Sequence, residues 1–76
     1  MKLKPVTSGK LIKVLGRVGF ITSRQKGSHV FLKHSDGRAT VVPVHKGEEI
    51  GRGLLRKIIK DAKLSREEFL KLLEEL

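Results

Sequence analysis

The 76-residue chain reads as an α+β sandwich, with helices covering one face of a three-stranded antiparallel sheet. Three observations predict this class. Apolar residues recur at helical spacing toward both ends of the chain, the middle alternates apolar and polar positions with many β-branched residues, and Asp36-Gly37 supplies a hairpin turn between two strand-like runs. The order helix, three strands, helix, helix leaves the other sheet face open to solvent or to a ligand. The length predicts one domain over residues 1–76, since chains of this size bury roughly 60% of their unfolded surface.

Each element has a local reason. Ser8 is the expected cap of a first helix through "GKLIKVLGRV", where Leu11, Leu15 and Val18 recur at helical spacing beside Ile12. Gly19 ends this helix, and Gly16 within it costs about 1 kcal/mol relative to alanine. "FITSRQK", "HVFLKH" and "RATVVPV" read as three strands, with the turn Ser35-Asp36-Gly37 making the last two a hairpin. Pro43 cannot donate a ladder hydrogen bond, so the third strand belongs at an edge or ends irregularly. A second helix carries Leu54, Leu55, Ile58, Ile59 and Ala62 on one stripe and Arg56, Lys57, Lys60 and Lys63 outside it. Ser65 and Glu68 form a capping-box pattern ahead of Phe69, Leu72, Leu73 and Leu76, predicting a third helix.

Composition narrows the function. The absence of cysteine removes disulfides and thiolate metal sites. Apolar runs are too short for a membrane span, and no leader pattern is present, so a soluble cytoplasmic protein is expected. The net charge of +9 is unevenly placed: the first 46 residues hold ten basic residues against the single acid Asp36, and the remainder is balanced at seven of each. A field of one sign on part of a small fold attracts polyanions, and nucleic acid is the commonest of these in a cytoplasm. The plainer alternative is a set of solvated lysines with no partner.

The three histidines, His29, His34 and His45, are the first candidates for chemistry. Strand alternation sends His29 and His34 to opposite faces, and no acidic cluster lies near His45, so no metal site and no cofactor is expected. Ser28 beside His29 lacks a third group to orient the imidazole, which argues against a serine nucleophile. A basic half with one acid cannot supply the paired carboxylates of a glycosidase. What is left is a histidine acting with cations. Imidazole can accept and donate a proton near pH ~6.5, and one such group contributes on the order of 10²- to 10⁴-fold to a rate. That suffices for slow cleavage of RNA, whose 2′-hydroxyl already adjoins the phosphate, with Arg24 and Lys26 stabilising developing charge. By spacing and chemistry alone, His29 reads more readily as an ordinary strand residue with a backbone hydrogen bond.

Sheet register is open at this level. Val30 and Leu32 face one way and His29, Phe31 and Lys33 the other, and both sets are half apolar. General burial tendencies favour Phe31 in the core over a ring offered for stacking a base.

Taken in succession, "SGKLIKVL", "GF", "RQKGSH", "HSDGR" and "VPVHKGEEIGRGLLRKIIKDAKLSREEF" resemble the HicA (YcfA-like) family of small toxins from type II toxin-antitoxin systems, over about residues 7 to 70. The resemblance implies a double-stranded-RNA-binding-like fold acting as a ribosome-independent mRNA interferase. It implies that the histidine of the Gly-Ser-His word, here His29 after Gly27 and Ser28, is catalytic, and that a HicB antitoxin covers the site. RNA contacts are expected from Arg24, Lys26, Lys33, Arg38 and Lys46. A different class of function, a non-catalytic RNA-binding module of the same fold, would use the basic surface and backbone N–H groups at Gly51 and Gly53, although those glycines also serve a tight helix start. An operator-binding protein ranks last, because the second helix has no Asn or Gln to read adenine.

Overall fold

The computed structural model describes residues 2–76. In chain order the elements are β1 (Val6–Thr7), α1 (Ser8–Arg17), β2 (Ile21–Lys26), β3 (His29–Lys33), β4 (Ala39–Pro43), β5 (Glu49–Ile50), α2 (Arg52–Asp61) and α3 (Arg66–Glu74). The fold is α+β, with a three-stranded antiparallel sheet ordered β2-β3-β4, as the sequence predicts. Pro43 lies on β4, which is an edge strand, so its missing N–H interrupts no ladder on the open side.

Two features of the backbone depart from expectation. The cap of α1 is Thr7, not Ser8: the Thr7 hydroxyl accepts from the Lys10 N–H at 3.2 Å, while Ser8 is the first helical residue and is buried. β1 and β5 also form a small second ladder, pairing Val6 with Ile50 and Thr7 with Glu49. Two-residue strands have no readable period, so only their tertiary pairing reveals them.

Both α1 and α2 end in a Schellman motif. Phe20 N–H bonds the Leu15 carbonyl and Gly19 N–H that of Gly16; Leu64 bonds Ile59 and Lys63 bonds Lys60 in the same pattern. The residue at the turn needs positive φ, which is 99° at Gly19 but 56° at a lysine, Lys63, in the second case. Gly19 is required twice over, because a Cβ there would lie 2.6 Å from Nε2 of His34. α3 starts with the predicted capping box of Ser65 and Glu68.

One apolar cluster fills the space between helices and sheet. Leu11, Val14 and Leu15 of α1, Val30, Leu32 and Val42 of the sheet, Leu55, Ile58 and Ile59 of α2, and Phe69 of α3 are all buried. Leu54, placed on the α2 stripe by spacing, is exposed instead. Buried Thr40 donates to an Asp61 carboxylate oxygen at 3.1 Å, and Lys57 donates to that oxygen at 3.1 Å, tying β4 to α2 with its polar groups satisfied.

Candidate active site

The site begins at the β2-β3 turn. Lys26 pairs with His29, leaving only Gly27 and Ser28 to connect the strands. Gly27 has φ 58°, and among the described residues the sole positive-φ residue outside glycine is Lys63, so positive φ is confined to the first central position. That is the pattern of a type II′ turn, which demands glycine there. Gly27 thus sets the turn. Ser28 ties it to β4, because its carbonyl accepts from Val44 N–H at 2.6 Å. His29 is the first residue the turn delivers to the strand.

Val30 and Leu32 of β3 and Thr40 and Val42 of β4 are buried beneath the helices, so the alternate positions form the open face. Directly opposed residues share a face. The register therefore lays three rows across it: Lys26-His29-Pro43, Arg24-Phe31-Val41 and Ile21-Lys33-Ala39. Phe31 accordingly sits half-buried on the open face and not in the core, the opposite of the burial-based expectation. The Arg24 guanidinium lies over its ring, 4.7 Å from the centroid.

A bulge makes this arrangement possible. Pairing shifts by one residue between Thr22 and Arg24, with Ser23 as the extra residue and its hydroxyl donating to the Phe31 carbonyl at 3.2 Å. Without the insertion, the alternation that puts exposed Thr22 on the same side of the sheet as its partner Leu32 would put Arg24 and Lys26 on that side too. With it, both cations join His29 on the open face, a re-aiming that bulges commonly perform.

The histidines have different jobs. The His29 ring is exposed and makes no hydrogen bond among the described residues, so the backbone bond expected of an ordinary strand histidine is missing. His34 is engaged at both nitrogens: Nδ1 accepts from Asp36 N–H at 3.1 Å, so Nε2 carries the proton and donates to the Val18 carbonyl at 2.9 Å. Its ring also meets Phe20 edge-on, with centroids 5.3 Å apart. His45 is exposed in the segment after β4. Among the described residues no three His, Cys, Asp or Glu side chains converge as a metal site.

The expected RNA contacts divide in the same way. Arg24, Lys26 and Lys33 share the face of His29. Lys46 is exposed in the loop that follows Pro43, the partner of His29. Arg38 stands apart: it bonds Asp36 at 2.8 Å, donates to the Ala62 carbonyl, and lies over Phe20 with 5.2 Å to the ring centroid. Of those partners, Ala62 and Phe20 are buried in the core and Asp36 lies in the β3-β4 turn. The Arg38 backbone N–H, then its guanidinium, hold the Asp36 carboxyl below its ordinary range. A cavity of about 560 Å³ lies elsewhere, lined by Lys2, Lys4, Lys10, Val6, Phe69 and Leu73 among others, and shares no residue with these rows.

No helix is long and apolar enough to cross a membrane among the described residues. A comparison with curated proteins finds no match. The family model described as the HicA toxin of bacterial toxin-antitoxin matches residues 8–64, from the first residue of α1 to the end of the α2 Schellman turn. Covering well over half of the chain, this match shows that the protein belongs to the HicA toxin family, the toxin component of toxin-antitoxin systems, whose members are paired with an antitoxin.

Proposed function

We propose that this toxin is a metal-independent endoribonuclease that cleaves mRNA in the cytoplasm, with His29 as its catalytic residue. The observation that carries the reading is the exposed His29 ring, with no hydrogen bond among the described residues, opposite Lys26 and one row from Arg24 on a basic open face. Family membership supports it, since an mRNA interferase is the activity the resemblance implies.

In this reading a ring nitrogen of His29 accepts the proton of a ribose 2′-hydroxyl. The 2′-oxygen then bonds to phosphorus and the bond from phosphorus to the 5′-oxygen breaks. The proton leaves with that oxygen, returned by the imidazolium or by water. Lys26 and Arg24 neutralise charge that accumulates on the phosphoryl oxygens. No water is consumed in this step, and the products are a 2′,3′-cyclic phosphate and a 5′-hydroxyl. The substrate supplies the nucleophile, which is why a lone proton carrier suffices and no serine or carboxylate partner is needed.

A HicB-like antitoxin of acidic surface would silence the protein by covering this face, and complementary charge would speed its encounter. The deciding experiment incubates purified protein with RNA in EDTA. Wild-type protein should cut and leave cyclic phosphate ends; His29→Ala should lose on the order of 10²- to 10⁴-fold in rate. Binding with no cleavage at high protein concentration would instead favour a non-catalytic RNA-binding module. Growth arrest on expression, lost in His29→Ala, is the matching test in cells.

A further inference from the structure

We propose that Phe31 and Arg24 form a stacking platform for an unpaired nucleobase beside the scissile phosphate, which makes the substrate single-stranded RNA. The inference rests on the RNA-cleavage reading of the same face.

Phenylalanine is among the residues most often buried, yet the half-buried Phe31 lies on the solvent face although the adjacent Val30 and Leu32 are buried in the core. Its row mates are Arg24 and Val41, and the rows on either side carry His29, Lys26 and Lys33. The middle row therefore joins the aromatic ring to apolar Val41 and cationic Arg24, and each flanking row adds a lysine, Lys26 or Lys33. Aromatic rings inside a positive groove are how proteins hold single strands, because every base has a π-face while the cations follow the backbone. A duplex hides those π-faces and offers only phosphates and a shallow groove.

Spacing fits as well. Residues two apart on a strand are roughly 6.6 Å apart, so a base on Phe31 would adjoin a phosphate held at His29 and Lys26. Arg24 does not block this use. Its guanidinium is planar, already lies over the ring at 4.7 Å, and itself stacks on bases.

The test uses full-length protein carrying His29→Ala, so that RNA stays intact, and a single-stranded oligoribonucleotide containing 2-aminopurine, whose fluorescence falls on stacking. Binding should quench the probe. Adding Phe31→Leu, which keeps apolar bulk for folding, should abolish the quench and weaken binding roughly 5- to 150-fold, while adding Phe31→Trp should retain both. A blunt RNA duplex should bind more weakly than the single strand. Quenching that survives Phe31→Leu overturns the proposal, as does equal affinity for the duplex. Unchanged RNA affinity with loss of antitoxin binding would also overturn it, by assigning the ring to the protein partner. Neither readout depends on catalysis: failure of wild-type protein to cleave would count against the cleavage reading and not against the stacking contact.

Discussion

Replacing the two β-hairpin histidines one at a time should separate chemistry from stability. His34 contributes one hydrogen bond to the Val18 carbonyl, one to Asp36 N–H, and an edge contact with Phe20. A net hydrogen bond is worth about 1 kcal/mol, the aromatic contact about 0.5–1.5 kcal/mol, and the partly buried Val18 bond lies where replacement partners are scarce. His34→Ala should therefore destabilise by roughly 2–4 kcal/mol, a large share of the stability of so small a domain. His29 has an exposed ring and no hydrogen bond among the described residues. His29→Ala should stay within about 0.5 kcal/mol of wild type, the usual range for a featureless surface position. Urea unfolding gives both values from the shift in midpoint at constant slope. Cleavage measured well below each melting temperature should then fail in His29→Ala and persist in His34→Ala. The reverse stability order would refute the reasoning, because it would mean that the hairpin is anchored through the wrong ring.

Other expectations follow from particular contacts. Gly19→Ala should cost at least 2 kcal/mol, roughly, from strain at φ 99° together with the clash at His34, and part of that cost should vanish in the His34→Ala background. Lys63→Gly should stabilise by about 0.5–1 kcal/mol, since Lys63 holds the left-handed position of a Schellman turn at φ 56°; a loss measured by urea unfolding would show that the lysine side chain outweighs its backbone strain. Asp36 is held below its ordinary range by the Arg38 N–H and guanidinium, and Glu68 by Ser65 N–H and hydroxyl. Carboxyls with depressed folded values bind protons less readily folded than unfolded, so their stabilisation is present above pH ~4 and is lost as pH falls through that range toward the folded values. Thermal melts between pH 5 and pH 2 should record the decline, and it should be shallower in Glu68→Gln. RNA affinity should fall steeply with salt, and Lys26→Ala should reduce the slope by about one counterion.

The sequence was legible wherever the signal was local. Helix periodicity, the Ser65–Glu68 box and the Asp36-Gly37 turn all act within a few residues, and the structure contains each one. The charge asymmetry also needed no coordinates, because counting suffices. The Thr7 cap was misread by one residue because Thr7 and Ser8 are both capping types, and only backbone geometry separates them.

The face of the sheet was a different kind of question. A strand with apolar residues on both sides does not say which side meets the helices. Helix packing buries Val30, Leu32 and Val42, and Phe31 is left outside as a consequence. Arg38 and Arg24 look equivalent in sequence, yet one is bound to Asp36 and Ala62 and the other lies on the open face over Phe31. The bulge at Ser23 has no signature of its own, because an extra residue exists only relative to a partner strand. By itself, then, the sequence determined the three helices, the three strands of the main sheet, the Asp36-Gly37 turn and the basic character. Tertiary pairing alone decided that His29, Lys26 and Arg24 meet on one open face, because facing is a property of two strands and a helix layer and never of one strand.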